Sequence, residues 1–334
     1  MSLLKDTRFA FGIATGKPFQ VLVQVTNRCN MRCSFCDFWP NGVPPAEELT
    51  VADYAKLAAD LAKTGTFLVS VEGGEPTLRP DLVEIVRVFG ERHLPVLYTN
   101  GWHVTPELAK SLFAAGLTQA GVSIDFSDPI RHDAKRGLAG AFDRAWRAVD
   151  TFKKAAPKGS RQVHVMTVLM ADNRGDVERQ LERSRDAGVG HMLTLLSKNG
   201  YRRADGVDDW PAPGIGAELK ALQARFPHFR VFSKYLDGID PFLEKRDDLP
   251  ACSAGDRSFN IDHVGNVSPC IEKIDRSVGN VRSEPLPSIL GKLHQMPEVA
   301  GCQQCWTLCR GFNQAFAGGG TLASWRELGG RVRA

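Results

Sequence analysis

The sequence lacks the long apolar segments that membrane proteins require. Apolar runs such as 67–69 and 168–170 fall far short of the roughly 20 residues needed to cross a bilayer. The N-terminus has no apolar core of signal-peptide length, because Lys5, Asp6 and Arg8 stand within its first eight positions. We therefore expect a cytoplasmic protein with no membrane partner.

An excess of charge of one sign is also missing. The chain has 42 Lys and Arg against 38 Asp and Glu, no long block of like charge, and only four tyrosines. Nucleic-acid-binding proteins typically combine a basic stripe with aromatic residues, so we expect no nucleic-acid partner. With 334 residues, of which 43% are hydrophobic, the chain is long enough for about two domains or one large barrel with an appendage.

Cysteine is absent from 37–251 and clustered on either side of that gap. Three cysteines lie close together, and five more follow the gap: Cys29, Cys33, Cys36, Cys252, Cys270, Cys302, Cys305 and Cys309. In a reducing compartment, this usage favours metal ligation or catalysis over structural disulfides. The two groups predict two metal sites in two structural units.

The first two-thirds of the sequence alternates β-rich runs with helical patterns, which predicts parallel strands with right-handed crossovers. The dinucleotide fingerprint G-x-G-x-x-G is missing after the first strand, where Asn27-Arg28-Cys29 stands instead. This favours a barrel over a doubly wound sheet. We predict an α/β fold: a partial (β/α)6 TIM-like barrel with a small C-terminal β-hairpin and helix domain that carries the second cysteine group. The expected divisions are a barrel over 1–200, a connector over 201–250, the cysteine-bearing unit over 251–316 and a loosely ordered tail over 317–334.

The first cysteine group, Cys29-x3-Cys33-x2-Cys36, follows the first predicted strand. Structural zinc sites normally close four ligand positions, so three thiols are an odd number for zinc. They suit a [4Fe–4S] cluster with one iron left open for another ligand.

This motif resembles the signature of the radical S-adenosylmethionine (SAM) superfamily. Further matches occur in order: Phe35 before the last cysteine, Gly73-Gly74-Glu75-Pro76, Thr99-Asn100-Gly101, Ser123-Ile124-Asp125, and Arg136-Gly137. The resemblance covers about residues 20–200. It implies that the open iron binds the methionyl group of SAM, and that one electron cleaves the sulfonium to give methionine and a 5′-deoxyadenosyl radical.

The resemblance also implies roles for individual residues. The turn of Gly73, Gly74 and Glu75 would bind the SAM amino group, since glycines allow close backbone approach and a carboxylate accepts hydrogen bonds from ammonium. Ser123 and Arg136 would hold the carboxylate, Asp125 would accept from a ribose hydroxyl, and Phe35 and Asn100 complete the predicted cofactor-binding set.

The second cysteine group resembles the auxiliary-cluster extension called SPASM or, in its shorter form, Twitch. Cys252-x12-Gly265-x4-Cys270 fits that pattern, but too few thiols follow for two complete clusters. The best fit is one auxiliary [4Fe–4S] cluster on Cys252, Cys270, Cys302 and Cys305, with Cys309 left over or replacing one of the last pair. From the residues alone, a four-thiolate zinc ribbon is an equally possible interpretation.

Together these resemblances predict a radical SAM oxidoreductase that abstracts a hydrogen atom from a small molecule, with the auxiliary cluster accepting an electron. About 20 residues precede the first strand, which leaves no room there for a leader-peptide domain and favours a metabolite substrate. A flavodoxin- or ferredoxin-type donor would supply the electron. Alternatives are decarboxylation, rearrangement or adenosyl transfer without net oxidation, a peptide maturase, and a non-catalytic iron–sulfur or zinc protein. Polar residues considered for substrate contact are Lys198, Asn199, Tyr201, Arg202, Asp237 and Asp240.

Overall fold

The computed structural model describes residues 3–157, 163–200, 210–294, 296, 299 and 302–332. After helix α1 (Leu3–Ala14), strands and helices alternate as the sequence predicts. The barrel elements are β1 (Gln20–Thr26), α2 (Val51–Thr64), β2 (Leu68–Gly73), α3 (Leu82–Gly90), β3 (Leu94–Thr99), α4 (Pro106–Ala114), β4 (Gln119–Ser123), α5 (Pro129–Arg136), α6 (Ala141–Ala155), β5 (Val163–Leu169), α7 (Val177–Ala187) and β6 (Gly190–Leu195).

Local chemistry sets the helix boundaries. Thr50 and Asp53 form a reciprocal capping box at the start of α2, and Thr105 caps α4, whose first residue is a proline. Helices α5 and α7 end at Gly137 and Gly188, which adopt the left-handed conformation at φ 65° and 66°. The apolar faces of α2, α3, α4 and α6 pack on the outer face of the strands to form the largest buried core.

The remaining elements follow β6. They are α8 (Ile215–Arg225), α9 (Ser233–Asp237), α10 (Ile239–Leu243), β7 (Ser258–Ile261), β8 (Asn266–Ser268), β9 (Gly279–Asn280), α11 (Leu286–Leu293), α12 (Leu308–Ala315) and α13 (Leu322–Val332). The tail predicted to be loosely ordered therefore contains a helix. Its Trp325 packs edge-on against Phe316 at 5.1 Å between ring centroids.

All strands join one sheet in the order β6-β5-β4-β3-β2-β1-β7-β8-β9. Strands β1 to β6 run parallel, and β7 extends the sheet parallel to β1, from the pair Gln20 and Ser258 to the pair Val23 and Ile261. Strands β8 and β9 are antiparallel additions. Across the described ranges β6 does not pair with β1, so the barrel is partial, and the predicted fold class is confirmed.

The open side of the barrel is filled by aromatic side chains. Phe312 on α12 stacks on Phe232 at 5.2 Å and meets Phe19, next to β1, edge-on at 5.1 Å. Helix α12 is tied to β6 because the backbone N–H of Leu308 donates to Thr194 Oγ1 at 3.0 Å. The helix therefore closes the side of the barrel. In the described ranges, no helix combines the length and apolarity needed to span a membrane.

Candidate active site

The first cysteine group lies on the loop after β1, at the carboxyl end of the parallel strands. A β-bulge precedes it: Gln24 pairs with Glu72, but Thr26, two residues on, pairs with Gly73. All three thiols line a cavity of about 1250 Å³ inside the barrel, and none forms a disulfide. The carboxyl end of parallel barrel strands is where active sites of this architecture occur.

Gly73 and Gly74 hold this loop in place. A Cβ on Gly73 would lie 2.1 Å from the carbonyl oxygen of Thr26, and one on Gly74 would lie 2.3 Å from that of Arg28. The N–H of Gly74 donates to Thr26 O at 2.7 Å. The glycines therefore let two backbone segments meet, and both also line the cavity. From the sequence, these glycines were expected to allow close approach of a ligand, and the contact between the two backbone segments was not predicted.

Glu75 is fully buried and does not line the cavity. One carboxylate oxygen accepts from Thr77 N at 3.1 Å and from Thr99 Oγ1 at 2.6 Å, and the other accepts from Asn100 N at 2.7 Å. The side chain thus ties the Gly-Gly-Glu-Pro turn to the loop after β3. It braces the predicted SAM site from behind.

Besides Gly73 and Gly74, four other predicted cofactor-binding residues line the cavity together with the thiols: Phe35, Asn100, Ser123 and Arg136. Asn100 Nδ2 lies 3.9 Å from Cys29 Sγ and donates to Asn30 Oδ1 at 2.8 Å. Ser123 is the last residue of β4. The barrel therefore brings residues separated by a hundred positions to one rim.

Asp125 and Arg136 form a buried ion pair. Arg136 Nη2 and Nε lie 2.6 Å and 2.8 Å from Asp125 Oδ2, and Val168 N donates to Oδ1 at 2.9 Å. The Arg136 guanidinium also lies 5.3 Å from the Phe35 ring centroid. Asp125 is fully buried and does not line the cavity, and its partner in the structure is the Arg136 guanidinium.

Burial disfavours the thiolate forms of all three cysteines on this loop. Burial raises the pKa of Cys29 to about 11 and that of Cys36 to about 12. Burial also raises the pKa of Cys33, against the opposing effect of Arg136. Thiolates are the metal-ligating form, so iron is the charge that would keep all three deprotonated. The donor set of three thiols on one loop fits a [4Fe–4S] cluster with an open iron.

The second cysteine group surrounds a smaller cavity of about 40 Å³ at the hairpin of β7 and β8. All five of its thiols line that cavity: Cys252, Cys270, Cys302, Cys305 and Cys309. Arg310 fixes the last segment by donating to Cys305 O at 2.9 Å and to Pro250 O at 2.7 Å. Burial raises the pKa of Cys270 and Cys305, and the nearby Glu272 carboxylate adds to both shifts.

The five thiols of the second group share one small cavity, where a cluster or a single metal ion could be bound. In the portion of the chain that the structure describes, no three His, Cys, Asp or Glu side chains converge as ligands of one metal ion. Four thiolates around one zinc at about 2.3 Å would lie close together. A cubane holds its thiolates further apart, one at each iron corner. The five thiols supply enough donors for an iron–sulfur cluster as well as for a zinc ribbon.

Cys309, in the first turn of α12, differs from the other four thiols. It lines both the small cavity and the large one. It also packs, together with Cys36, against an apolar cluster of Leu22, Phe38 and Ile271. One cysteine therefore lies between the two thiol groups that the sequence separates by more than 200 residues.

Several residues that line the large cavity were missed from the sequence, among them Glu72 and Tyr98. Alternate residues of a barrel strand point inward, so the period of two along β2 and β3 was the available signal. Of the substrate-contact candidates, Asp240 accepts from Gly214 N and Gly216 N at the start of α8, and Asp237 pairs with Lys220. Tyr201 and Arg202 lie outside the described residues.

The sequence matches two family profiles, the radical SAM superfamily over 23–183 and an iron–sulfur cluster-binding domain, SPASM, over 252–307. The AdoMet-dependent heme synthase of Methanosarcina barkeri is 28% identical over 82% of each chain. The heme synthase of Nitratidesulfovibrio vulgaris is 27% identical, over 80% of this chain and 77% of its own. The mycofactocin maturase MftC of Mycolicibacterium smegmatis is 30% identical over 58% and 48%.

Solved structures share the fold. Streptococcus suis SuiB bound to S-adenosylmethionine superposes with a TM-score of 0.65 at 15% identity, over 83% of this chain and 68% of its own. Native anSMEcpe with bound AdoMet gives 0.63 at 16% identity, over 94% and 96%. The chain belongs to the radical SAM superfamily and is an enzyme of that class. More narrowly, it carries a C-terminal SPASM domain, so its cofactors are SAM, a [4Fe–4S] cluster and an auxiliary cluster.

Proposed function

We propose that this enzyme abstracts a hydrogen atom from a bulky, largely apolar metabolite and oxidises it. The bound cofactors supply a 5′-deoxyadenosyl radical and a second site that accepts an electron. The observation that carries this proposal is the single cavity of about 1250 Å³, which reaches from the Cys29–Cys36 loop to Cys309. A molecule in that cavity would face the three thiols of the first group and Cys309 of the second group.

The rim of the cavity would hold SAM. The proposed contacts are the backbone of Gly73 and Gly74, the side chains of Asn100, Ser123 and Arg136, and the ring of Phe35, all of which line the cavity. Glu75 and Asp125 would act indirectly. Glu75 holds the loop that carries Asn100, and Asp125 holds Arg136. The proposed metal ligands are Cys29, Cys33 and Cys36 for the first cluster, and Cys252, Cys270, Cys302 and Cys305 for the second.

The walls below the rim indicate the substrate class. Their apolar side chains are those of Met166, Met192, Leu196, Leu308 and Phe312. The far end is polar and carries buried Arg230 and His164. Such walls suit a large apolar body that bears an ionised group. Relatives named heme synthase and Fe-coproporphyrin III synthase support a substrate of tetrapyrrole size.

We further propose a functional division along the chain. The barrel (1–200) would hold SAM, and residues 251–316 would hold the auxiliary cluster. Residues 201–250 would connect these two parts, and residues 317–334 would form the C-terminal tail. A peptide substrate is the second candidate, because the maturase MftC is 30% identical over 58% of this chain.

The test uses anaerobically reconstituted protein with SAM and dithionite. Formation of 5′-deoxyadenosine and methionine is expected, and its absence from fully iron-loaded protein would refute radical SAM activity. Fe-coproporphyrin III is the first substrate probe, with GTP and a short peptide as the other arms. A product lacking two hydrogens, alone or with carbon dioxide, supports net oxidation, whereas turnover of the peptide alone overturns the metabolite proposal.

A variant in the cavity sharpens the test. Met192 lines the cavity wall, so Met192→Trp should fill the substrate volume and abolish turnover of the porphyrin. SAM cleavage without substrate should persist, because the rim is unchanged. Leu4→Trp is the matched control, since Leu4 is 66% exposed on α1.

A further inference from the structure

Two arginine–tryptophan stacks flank the first cysteine group on the protein surface. Arg32, between Cys29 and Cys33, lies 4.6 Å from the ring centroid of Trp39. Arg144, on α6, lies 5.3 Å from that of Trp102. Both arginines are exposed, and Trp39 is among the few large exposed hydrophobic side chains, with 37% of its surface accessible.

Both stacks are fixed to the cysteine loop. Arg32 Nη1 donates to the carbonyl oxygens of Cys29 and Met31 at 2.8 Å and 3.0 Å. Trp39 follows Cys36 by three positions, at the other end of the loop. Trp102 packs on the apolar cluster that contains Cys33 and Phe35. One stack therefore includes a residue of the segment that carries the cluster ligands, and the other packs against that segment.

These two arginines also differ from their cationic neighbours. Arg28 pairs with Glu48 at 3.0 Å, and Lys135 pairs with Asp172 at 2.9 Å. Across the described ranges, neither Arg32 nor Arg144 lies within ion-pair distance of an acidic side chain. Each stack therefore presents an exposed cation on an aromatic ring, next to residues of the first cysteine group.

We propose that these two stacks form the docking surface for an acidic one-electron carrier protein that reduces the first cluster. Arginine and tryptophan dominate binding energy at protein interfaces, and complementary charge steers the encounter. In the transfer, the carrier loses one electron and the cluster gains it, with no atom exchanged. This inference rests on the proposed function, because reductive SAM cleavage is what consumes the electron.

The test compares two reductants in the same SAM-cleavage assay. One arm uses flavodoxin with its reductase and NADPH, and the other uses dithionite, a small reductant that needs no docking surface. Arg144→Glu should lower the flavodoxin-driven rate of 5′-deoxyadenosine formation roughly fivefold or more, by slowing association, and leave the dithionite-driven rate unchanged. Lys110→Glu, an equal charge reversal on the exposed side of α4, should change neither arm.

Arg32→Glu is the second variant. Because Arg32 lies within the cysteine loop, its iron content is measured, and the readout is the flavodoxin-driven rate divided by the dithionite-driven rate. Its ratio should fall as well, and added salt should reduce the wild-type flavodoxin rate more than the Arg144→Glu rate. Equal loss in both arms, or loss in neither, would overturn the proposal. Calorimetry of flavodoxin binding to the wild-type protein and to Arg144→Glu tests the docking surface directly. This measurement does not depend on SAM cleavage.

Discussion

Arg136 contacts Asp125 through two nitrogens at 2.6 Å and 2.8 Å, and the same guanidinium lies 5.3 Å from the Phe35 ring centroid. The pair joins the end of α5 to the segment after β4. The backbone of this helix end holds the cysteine loop as well, because Arg32 N donates to Arg136 O at 3.2 Å. The geometry of the cluster loop therefore depends on a buried charge pair.

Removing one partner of the Asp125–Arg136 pair should destabilise the fold. Asp125→Asn leaves Arg136 buried without a countercharge, and we expect a loss of about 3 kcal/mol in the free energy of unfolding. Urea unfolding of the iron-free protein measures it. Asp150→Asn is the control, since Asp150 pairs with Lys154 on the exposed face of α6 and should cost less than about 1 kcal/mol. If the two substitutions change the free energy of unfolding equally, the buried Asp125–Arg136 pair stabilises the fold no more than an exposed pair does.

Gly74→Ala should displace the cysteine loop. Its new methyl group would lie 2.3 Å from Arg28 O and 2.5 Å from Asn27 O, and neither backbone atom can move alone. We expect overpacking of about 1–3 kcal/mol and loss of iron from the first cluster. Iron analysis and calorimetric SAM binding measure these effects. Gly291→Ala, where no atom lies within 4 Å, should retain full iron and SAM binding.

Much of the barrel was predictable because each element carries local signals. Thr50 and Gly65 bound α2 as the capping chemistry indicates, and Pro106 opens α4. The pairing of β7 with β1 was not predictable, because the hairpin pattern gives the turn but not the distant strand that accepts its edge. Helix α13 was missed because the three glycines before it, 318–320, suggested a loose tail.

The site shows the same limit. Motif positions place Glu75 and Asp125 at the ends of β2 and β4, and in the structure each residue comes two positions after its strand. The direction in which each carboxylate points depends on donors from other elements, Thr99 for Glu75 and Arg136 for Asp125. Spacing along the chain contains no information about those partners. For the same reason, the position of Cys309 between both cavities could not be read from the five-cysteine pattern.

Cys309→Ser should leave both clusters in place. The other four thiols of its group line only the small cavity, whereas Cys309 also faces the large one. We expect about eight iron atoms per chain in Cys309→Ser and about four in Cys270→Ser, as two cubanes or one would give. Iron analysis and electron paramagnetic resonance separate these results. Loss of the auxiliary signal in Cys309→Ser would make Cys309 a ligand in place of one of the Cys302 and Cys305 pair.

Acid should destabilise the fold through three buried histidines. Burial lowers the pKa of His191 to about 3 and of His93 and His132 to about 4, from an ordinary value of 6.5. The unfolded chain then binds more protons than the folded one, so stability is complete above about pH 6.5 and falls as the pH decreases toward 4. Between pH 7.5 and 5.5 each histidine should contribute a loss of roughly 1 kcal/mol.

His191 provides the sharpest check of this pH dependence. Its ring nitrogens lie 2.8 Å from Ser184 Oγ and 3.1 Å from Thr167 Oγ1, and the side chain is fully buried. In His191→Asn no imidazole is left to titrate, so the loss of stability between pH 7.5 and 5.5, measured by urea unfolding, should shrink by roughly 1 kcal/mol. His103→Asn, at an exposed position, should keep the wild-type dependence. If the wild-type protein is equally stable at both pH values, burial does not hold these imidazoles neutral.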